Sequence, residues 1–196
     1  MNNTSIWQQY YAKAVSRPHA PRTEMAAELN SSGSITAVDC GCGTGSDISY
    51  LAALGYQVHG FDINADAVSI CRERFAGQER VQISQASFEQ FAYPACGLVI
   101  ANASLFFAEP ASFPKLWQRI TSSLASGGVF AGDFMGVNDS WAEGYRSPVT
   151  ALTQEQVLAL FDQYEVIEVH ERDESGTTLV GRTKHWHTYS VVALKR

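Results

Sequence analysis

From residue 35 onward, strand-like and helix-like segments alternate, and the first strand-to-helix junction carries Gly41, Gly43 and Gly45 at alternate positions. Such alternation leaves few folds open: a mainly parallel sheet covered by helices on both faces, with ligands at the carboxyl ends of the strands. Apolar runs at 35–39, 57–62, 80–84, 98–102 and 129–134 predict strands, and helical spacing predicts helices at 47–54, 65–75, 113–124 and 154–163. Gly127-Gly128 is expected to end the helix at 124 with a left-handed residue, and Thr153 to cap the helix that follows, with Leu158 and Phe161 on its apolar side. Final strands at 165–171 and 185–194, joined by the polar stretch 173–182, read as a hairpin. That hairpin makes the last strand antiparallel and brings its top, including Asp173 and the start of the His185 strand, to the ligand edge. Ahead of the alternation, Ile6, Trp7, Tyr10, Tyr11, Ala14 and Val15 recur at helical spacing, and a second helical stretch runs over 22–29 after Pro21. The expected organisation is one domain over 1–196, with an N-terminal helical cap (1–34) and a core (35–196).

The length of 196 residues and a 45% hydrophobic content suit one core and therefore one site. Fourteen basic against twenty acidic residues give a net charge of -6, which disfavours a nucleic-acid partner. Cys40, Cys42, Cys71 and Cys96 lack paired zinc spacing and disulfide density, and read as reduced thiols in a cytoplasm. No basic flank leads into an apolar stretch at the start, and no run reaches the ~20 apolar residues of a span, so neither export nor a membrane is expected.

Between an apolar strand and a helix capped by Ser46 or Asp47, the glycine loop turns backbone N–H groups toward a ligand that can approach closely. A glycine turn alone also serves as a purely structural corner. Its neighbours add meaning. Asp39 precedes the loop and Asp62 ends the next strand about twenty residues past the first glycine, where an acid holds ribose hydroxyls. The spacing is GxGxG, without the GxGxxG that seats a pyrophosphate, and Asp39 would place an anion beside that diphosphate. S-adenosylmethionine (SAM) carries no phosphate but an ammonium and a sulfonium, so a strand-end acid suits it. No GKS or GKT lysine is present for phosphoryl transfer.

These residues resemble a known family. Val-Asp-Cys-Gly-Cys-Gly-Thr-Gly at 38–45, Phe-Asp-Ile-Asn at 61–64 and Leu-Ala-Ser-Gly-Gly-Val-Phe at 124–130 are similar to the signature motifs of class I SAM-dependent methyltransferases. The resemblance implies an α/β, Rossmann-like seven-stranded mixed sheet in the order 3-2-1-4-5-7-6 with the last strand antiparallel. It implies that Asp39, Gly41, Cys42 and Gly43 surround the methionine end of SAM, that Asp62 binds the ribose, and that Ile63 and Phe88 face the adenine. Ser87 falls at the adenine edge, where many relatives carry Asp, which passes the contact to backbone or Gln85. Asn102 falls at the end of the fourth strand. The segment from Asn102 to Phe107 lacks the Asn/Asp-Pro-Pro-Tyr/Phe motif of enzymes that act on an extruded base or amide.

Several features bear on the methyl acceptor. Trp7, Tyr10 and Tyr11 either close over bound SAM and acceptor or pack the cap onto the domain. Phe106, beside Leu105, is a substrate contact or core. His185 and His187 share one face of a strand; they read as packing or hydrogen-bonding groups or as a catalytic acid–base pair, and no metal is expected because no third ligand is spaced in sequence. The loop at 136–141 and Lys-His-Trp-His at 184–187 resemble a bacterial subgroup related to tellurite-resistance methyltransferases. Within that loop Asp139, Trp141, Tyr145 and Arg146 form either a mobile substrate lid or an ordinary surface loop. The reading is a SAM-dependent methyltransferase for a small-molecule acceptor. Its rivals are a methyltransferase of RNA or protein, a SAM-binding protein without turnover, and a dinucleotide oxidoreductase. Oligomeric state is left open.

Overall fold

The computed structural model describes residues 3–145 and 147–196. Arg146, expected in the lid, lies outside them. Two helices, α1 (Asn3–Ala14) and α2 (Pro21–Leu29), precede the alternating part. The alternation then runs β1 (Thr36–Cys40), α3 (Ser46–Ala53), β2 (Gln57–Asp62), α4 (Ala65–Arg74), β3 (Val81–Gln85) and β4 (Cys96–Ala101). A 3-10 turn (Leu105–Phe107) leads to α5 (Phe113–Ser123), β5 (Leu124–Gly136), α6 (Ser140–Gly144), β6 (Ala151–Leu152) and α7 (Gln154–Ala159). The long hairpin β7 (Tyr164–Thr177) and β8 (Thr183–Lys195) closes the chain.

The sheet order is β3-β2-β1-β4-β5-β8-β7, with β8 antiparallel to both of its neighbours. This is the expected order once β6 is set aside. That two-residue strand, absent from the sequence reading, pairs parallel with the end of β5. Strand alternation divides the core between two faces. Val38, Val99, Phe130 and Val191 pack on one side with Leu116, Trp117 and Ile120 of α5. Ala37, Leu98, Ile100, Val129 and Val192 pack on the other with Ile48 and Leu51 of α3 and Ala26 of α2. Among the described residues no helix is long and apolar enough to cross a membrane.

Four sequence expectations need correction. Helix α5 ends at Leu124, whose extended backbone and buried side chain start β5 directly. Gly127 is therefore no helix cap; its carbonyl accepts from Ser31 N at 2.9 Å. Helix α7 stops at Ala159, where Leu160 and Phe161 tighten onto carbonyls three residues back. Its buried stripe is Val157 and Phe161, four residues apart, which turns Leu158 outward to 43% exposure. Asp47 does not cap α3, because its carboxylate is engaged by Ala20 and Thr23. Finally, the hairpin ladder continues to Thr177 opposite Thr183, leaving only 178–182 as the turn. Polar residues at 173–177 hid that ladder: the outer arm β7 is largely exposed there, and no core imposes apolar alternation.

Candidate active site

Chain turns at the carboxyl ends of β1, β2 and β4 create the site. Gly41 and Gly43 have φ of +68° and +53°, the left-handed region that costs a side chain ~1–2 kcal/mol. A Cβ on Gly41 would stand 2.6 Å from Ser104 Cβ, so this glycine lets the β1 and β4 turns touch; Ser104 Oγ donates to Cys40 O at 2.5 Å. A Cβ on Gly43 would meet nothing within 4 Å and would enter open space. The loop is fixed to β2 from both sides. Gly43 N donates to Asp62 Oδ2 at 3.0 Å, and Cys42 N donates to Phe61 O at 2.9 Å. Asp62 Oδ1 also accepts from Asn64 N at 2.8 Å. Burial raises the Asp62 pKa, while N–H groups of Asn64, Gly43 and Ile63 pull it back without cancelling the rise.

Asp39 lies deeper, 3% exposed, and its Oδ2 has no hydrogen-bond partner. Its pKa is raised well above the ordinary value, first by burial and then by the Asp47 charge. Beside it runs a polar network that the sequence reading missed. Asn102 Nδ2 donates to Asp47 Oδ2 at 3.0 Å and to Thr23 Oγ1 at 2.9 Å. Arg22 Nη1 donates to Asn102 Oδ1 at 3.0 Å and to Asp133 Oδ2 at 2.9 Å. Asp133 Oδ2 also accepts from Ala103 N at 2.7 Å, and Ala103 has φ of +50°, alone among the described non-glycine residues in that region. An acid at 133 inside the apolar run 129–134 was the available signal for this network.

A cavity of about 450 Å³ opens in front of these turns. The strand ends contribute Gly41, Gly43, Asp62, Ile63 and Asn102, and the segment after β3 contributes Ser87 and Phe88. Helix α1 contributes Trp7, Tyr10 and Tyr11. Trp7 stacks on Tyr11 with centroids 5.8 Å apart and meets Phe107 edge-on at 6.3 Å. Phe107, Glu109, Tyr145, Ser147 and Pro148 complete the lining from the segments after β4 and α6. Burial raises the phenol pKa of both Tyr10 and Tyr11, so both are neutral near pH 7.

Ten of the expected residues thus share one cavity: Trp7, Tyr10, Tyr11, Gly41, Gly43, Asp62, Ile63, Ser87, Phe88 and Asn102. Six do not line it. Asp39 lies behind the loop, and the Cys42 side chain turns inward to a hydrogen bond with Cys71. Phe106 packs with Met135 and Val149, because the 3-10 turn presents its neighbour Phe107 instead. Trp141 packs behind Tyr145, with centroids 4.9 Å apart. His185 and His187, the catalytic candidates, point to carboxylates of β7 rather than to the cavity. His185 Nε2 is 2.6 Å from Asp173 Oδ1, and His187 Nε2 is 2.9 Å from Glu171 Oε1. Glu171, Asp173 and His187 do bring possible metal-ligand atoms within 4.8 Å of one another, through cross-strand pairing that sequence spacing conceals. However, Asn138 N donates to His187 Nδ1 at 3.0 Å, which puts the proton of the neutral ring on Nε2, facing Glu171. Neither ring nitrogen then has a free lone pair for a cation.

Comparison with known proteins decides the family. Residues 37–128 match a family model described as a methyltransferase domain. The chain carries a class I SAM-dependent methyltransferase domain. The methyltransferase fold extends beyond the matched residues. TehB from Haemophilus influenzae superposes with a TM-score of 0.74 at 15% identity, over 92% of this chain and 63% of that one. The chain thus spans less than two thirds of TehB. A 1,6-didemethyltoxoflavin-N1-methyltransferase from Burkholderia thailandensis, solved with S-adenosylhomocysteine (SAH), gives 0.65 at 16% identity over 93% and 79% of the two chains. The N-methyltransferase NodS from Bradyrhizobium japonicum WM9, in complex with SAH, gives 0.65 at 15% over 89% and 86%.

Proposed function

We propose that this protein binds SAM in the cavity before the glycine loop and transfers its methyl group to a small-molecule acceptor. The observation that carries the reading is Asp62. Its two oxygens are each anchored by one backbone N–H, from Gly43 and Asn64, and the carboxylate still lines the cavity beside the open face of Gly43. A carboxylate held that way keeps lone pairs for a pair of ribose hydroxyls. The remaining fit is chemical. Ile63, 70% exposed in the free protein, and Phe88 offer apolar surfaces for a flat adenine. Ser87 lies at its edge. Asp39, buried without a partner for Oδ2, supplies the negative charge that an amino-acid ammonium needs at the other end.

Bound there, SAM supplies a methyl group on a positively charged sulfur. The chain's own contribution is position and exclusion of water. Asn102, held by Arg22, Thr23 and Asp47, fixes the end of β4 where it meets the cavity. Trp7, Tyr10 and Tyr11 cover the site with aromatic faces, which attract a sulfonium. The cavity volume falls within the ~300–1,000 Å³ of small-molecule sites. Calorimetric titration with SAH tests cofactor binding, with NAD as the rival ligand. Labelled SAM with a panel of amines, thiols, phenols and oxyanions tests transfer. Binding of NAD but not of SAH overturns the proposal.

A further inference from the structure

We infer that the acceptor is a small amine on an apolar or aromatic body, received between Phe107 and Tyr145 with Glu109 beside them. This rests on the function proposed above and names the substrate class of the same cavity. Once SAM fills the strand-end side, the lining left for an acceptor is chiefly Trp7, Tyr10, Phe107, Glu109, Tyr145 and Ser147. That surface is aromatic, and its charge is of one sign. Asp62, Glu89 and Glu109 line the cavity, while none of its described lining residues is lysine, arginine or histidine. Glu89 Oε1 accepts from Glu109 N at 3.3 Å and from Ser112 Oγ at 3.1 Å, which places the two acids side by side.

The direction in which charge moves separates the acceptor classes. When an amine is methylated, the nitrogen lone pair forms the new N–C bond. The C–S pair returns to sulfur, and the positive charge passes from sulfonium to nitrogen. The ammonium then keeps its proton or, if it has one, releases it to water. Carboxylates and aromatic faces on the acceptor side stabilise that developing cation. An oxyanion or thiolate would instead enter against Glu89 and Glu109, with no described lining cation to receive it. A phenol or alcohol must lose its proton to react. The lining offers neither histidine nor lysine for that, and the Tyr10 and Tyr11 phenols are neutral near pH 7. A neutral amine meets both conditions, because it needs no base and ends as a cation.

The test separates this inference from the one beneath it. SAH is titrated first, and failure to bind removes the proposed function itself. The SAH-saturated protein is then titrated with benzyltrimethylammonium, benzyl alcohol and phenylacetate, which share a ring and differ in charge. The cation should bind about tenfold more tightly than phenylacetate, as expected for a cation held by aromatic faces and a carboxylate. Glu109→Gln should weaken the cation about three- to tenfold and leave SAH affinity unchanged. With labelled SAM, benzylamine or tryptamine should acquire the label, and selenite, phenol and thiophenol should not. Binding of phenylacetate as tight as that of the cation, an unaltered cation affinity in Glu109→Gln, or labelling confined to non-amine acceptors overturns the inference while SAH binding stands.

Discussion

Lys184 Nζ donates to Asp139 Oδ1 at 2.6 Å, with the two side chains 5% and 0% exposed, and the same ammonium stands 3.6 Å from the Trp141 ring centroid. The Trp186 ring lies on it as well, at 4.1 Å. Asp139 is more than the partner of this lysine. Its carboxylate caps α6 through Trp141 N and accepts from His187 N at 3.0 Å. The pair therefore ties the hairpin to the helix that leads into Tyr145 and the cavity wall. Replacing Lys184 with Met strands a buried carboxylate, and the expected loss in urea unfolding is about 3–5 kcal/mol. Adding Asp139→Asn removes the stranded charge and keeps the cap, so the double variant should be more stable than Lys184→Met alone. Intrinsic tryptophan emission should also shift in Lys184→Met, since the ammonium leaves two indoles.

Asp39 should oppose stability and binding to each other. Burial raises its pKa well above the ordinary value of 3.8, so between those two values the folded state binds more protons than the unfolded one. Stability of the free protein therefore falls as pH rises through that window. Asp39→Asn deletes this dependence and should raise the melting temperature of the free protein at pH 7. SAH affinity should fall in the same variant, because the ammonium loses its counter-charge. Thermal scans from pH 4 to 8, with and without SAH, check both signs; a lower melting temperature for the free variant would count against the buried charge.

Gly41 and Gly43 share a backbone conformation and should respond differently to alanine. At Gly43 a Cβ meets no atom within 4 Å, so the stability cost is only the ~1–2 kcal/mol of a left-handed side chain. That methyl projects into the cavity, however, and SAH binding should drop by far more than stability. At Gly41 the Cβ would stand 2.6 Å from Ser104 Cβ, so Gly41→Ala should destabilise the fold more than Gly43→Ala. Paired urea and calorimetric titrations of the two variants distinguish the roles.

The glycine loop and Asp62 were legible in the sequence because they are local: spacing along two strands places them without knowledge of what packs above. The sheet order was legible because strand-helix alternation, together with the family resemblance, leaves few connections open. What escaped were relationships made across long separations. Arg22 appeared as one of several scattered basic residues, yet it binds Asn102, Asp133 and Ser190, 80 or more positions away. His185 and His187 were placed on one strand face as expected, but their partners sit on β7, which read as loop beyond residue 171. Phe106 and Phe107 differ in role through the phase of one 3-10 turn, which propensity does not set.

Ala103 offers the sharpest separation of stability from function. It lines the cavity at φ of +50° and is held there by Asp133 Oδ2 on its N–H at 2.7 Å. Ala103→Gly relieves ~1–2 kcal/mol of left-handed strain but adds ~0.5–1 kcal/mol of backbone freedom to the unfolded chain, so the free protein should gain up to about 1 kcal/mol. The bound state needs the β4 turn fixed, and a glycine there has more conformations to lose on binding, so SAH affinity should fall. Asp133→Ala acts the opposite way on stability. It deprives Ala103 N of its acceptor and leaves Arg22, a quarter exposed, without its counter-charge, at an expected cost of about 2–4 kcal/mol. Both variants should thus weaken SAH while moving urea midpoints in opposite directions. Midpoints that move together would mean that strain at Ala103 does not set the geometry of the cavity floor.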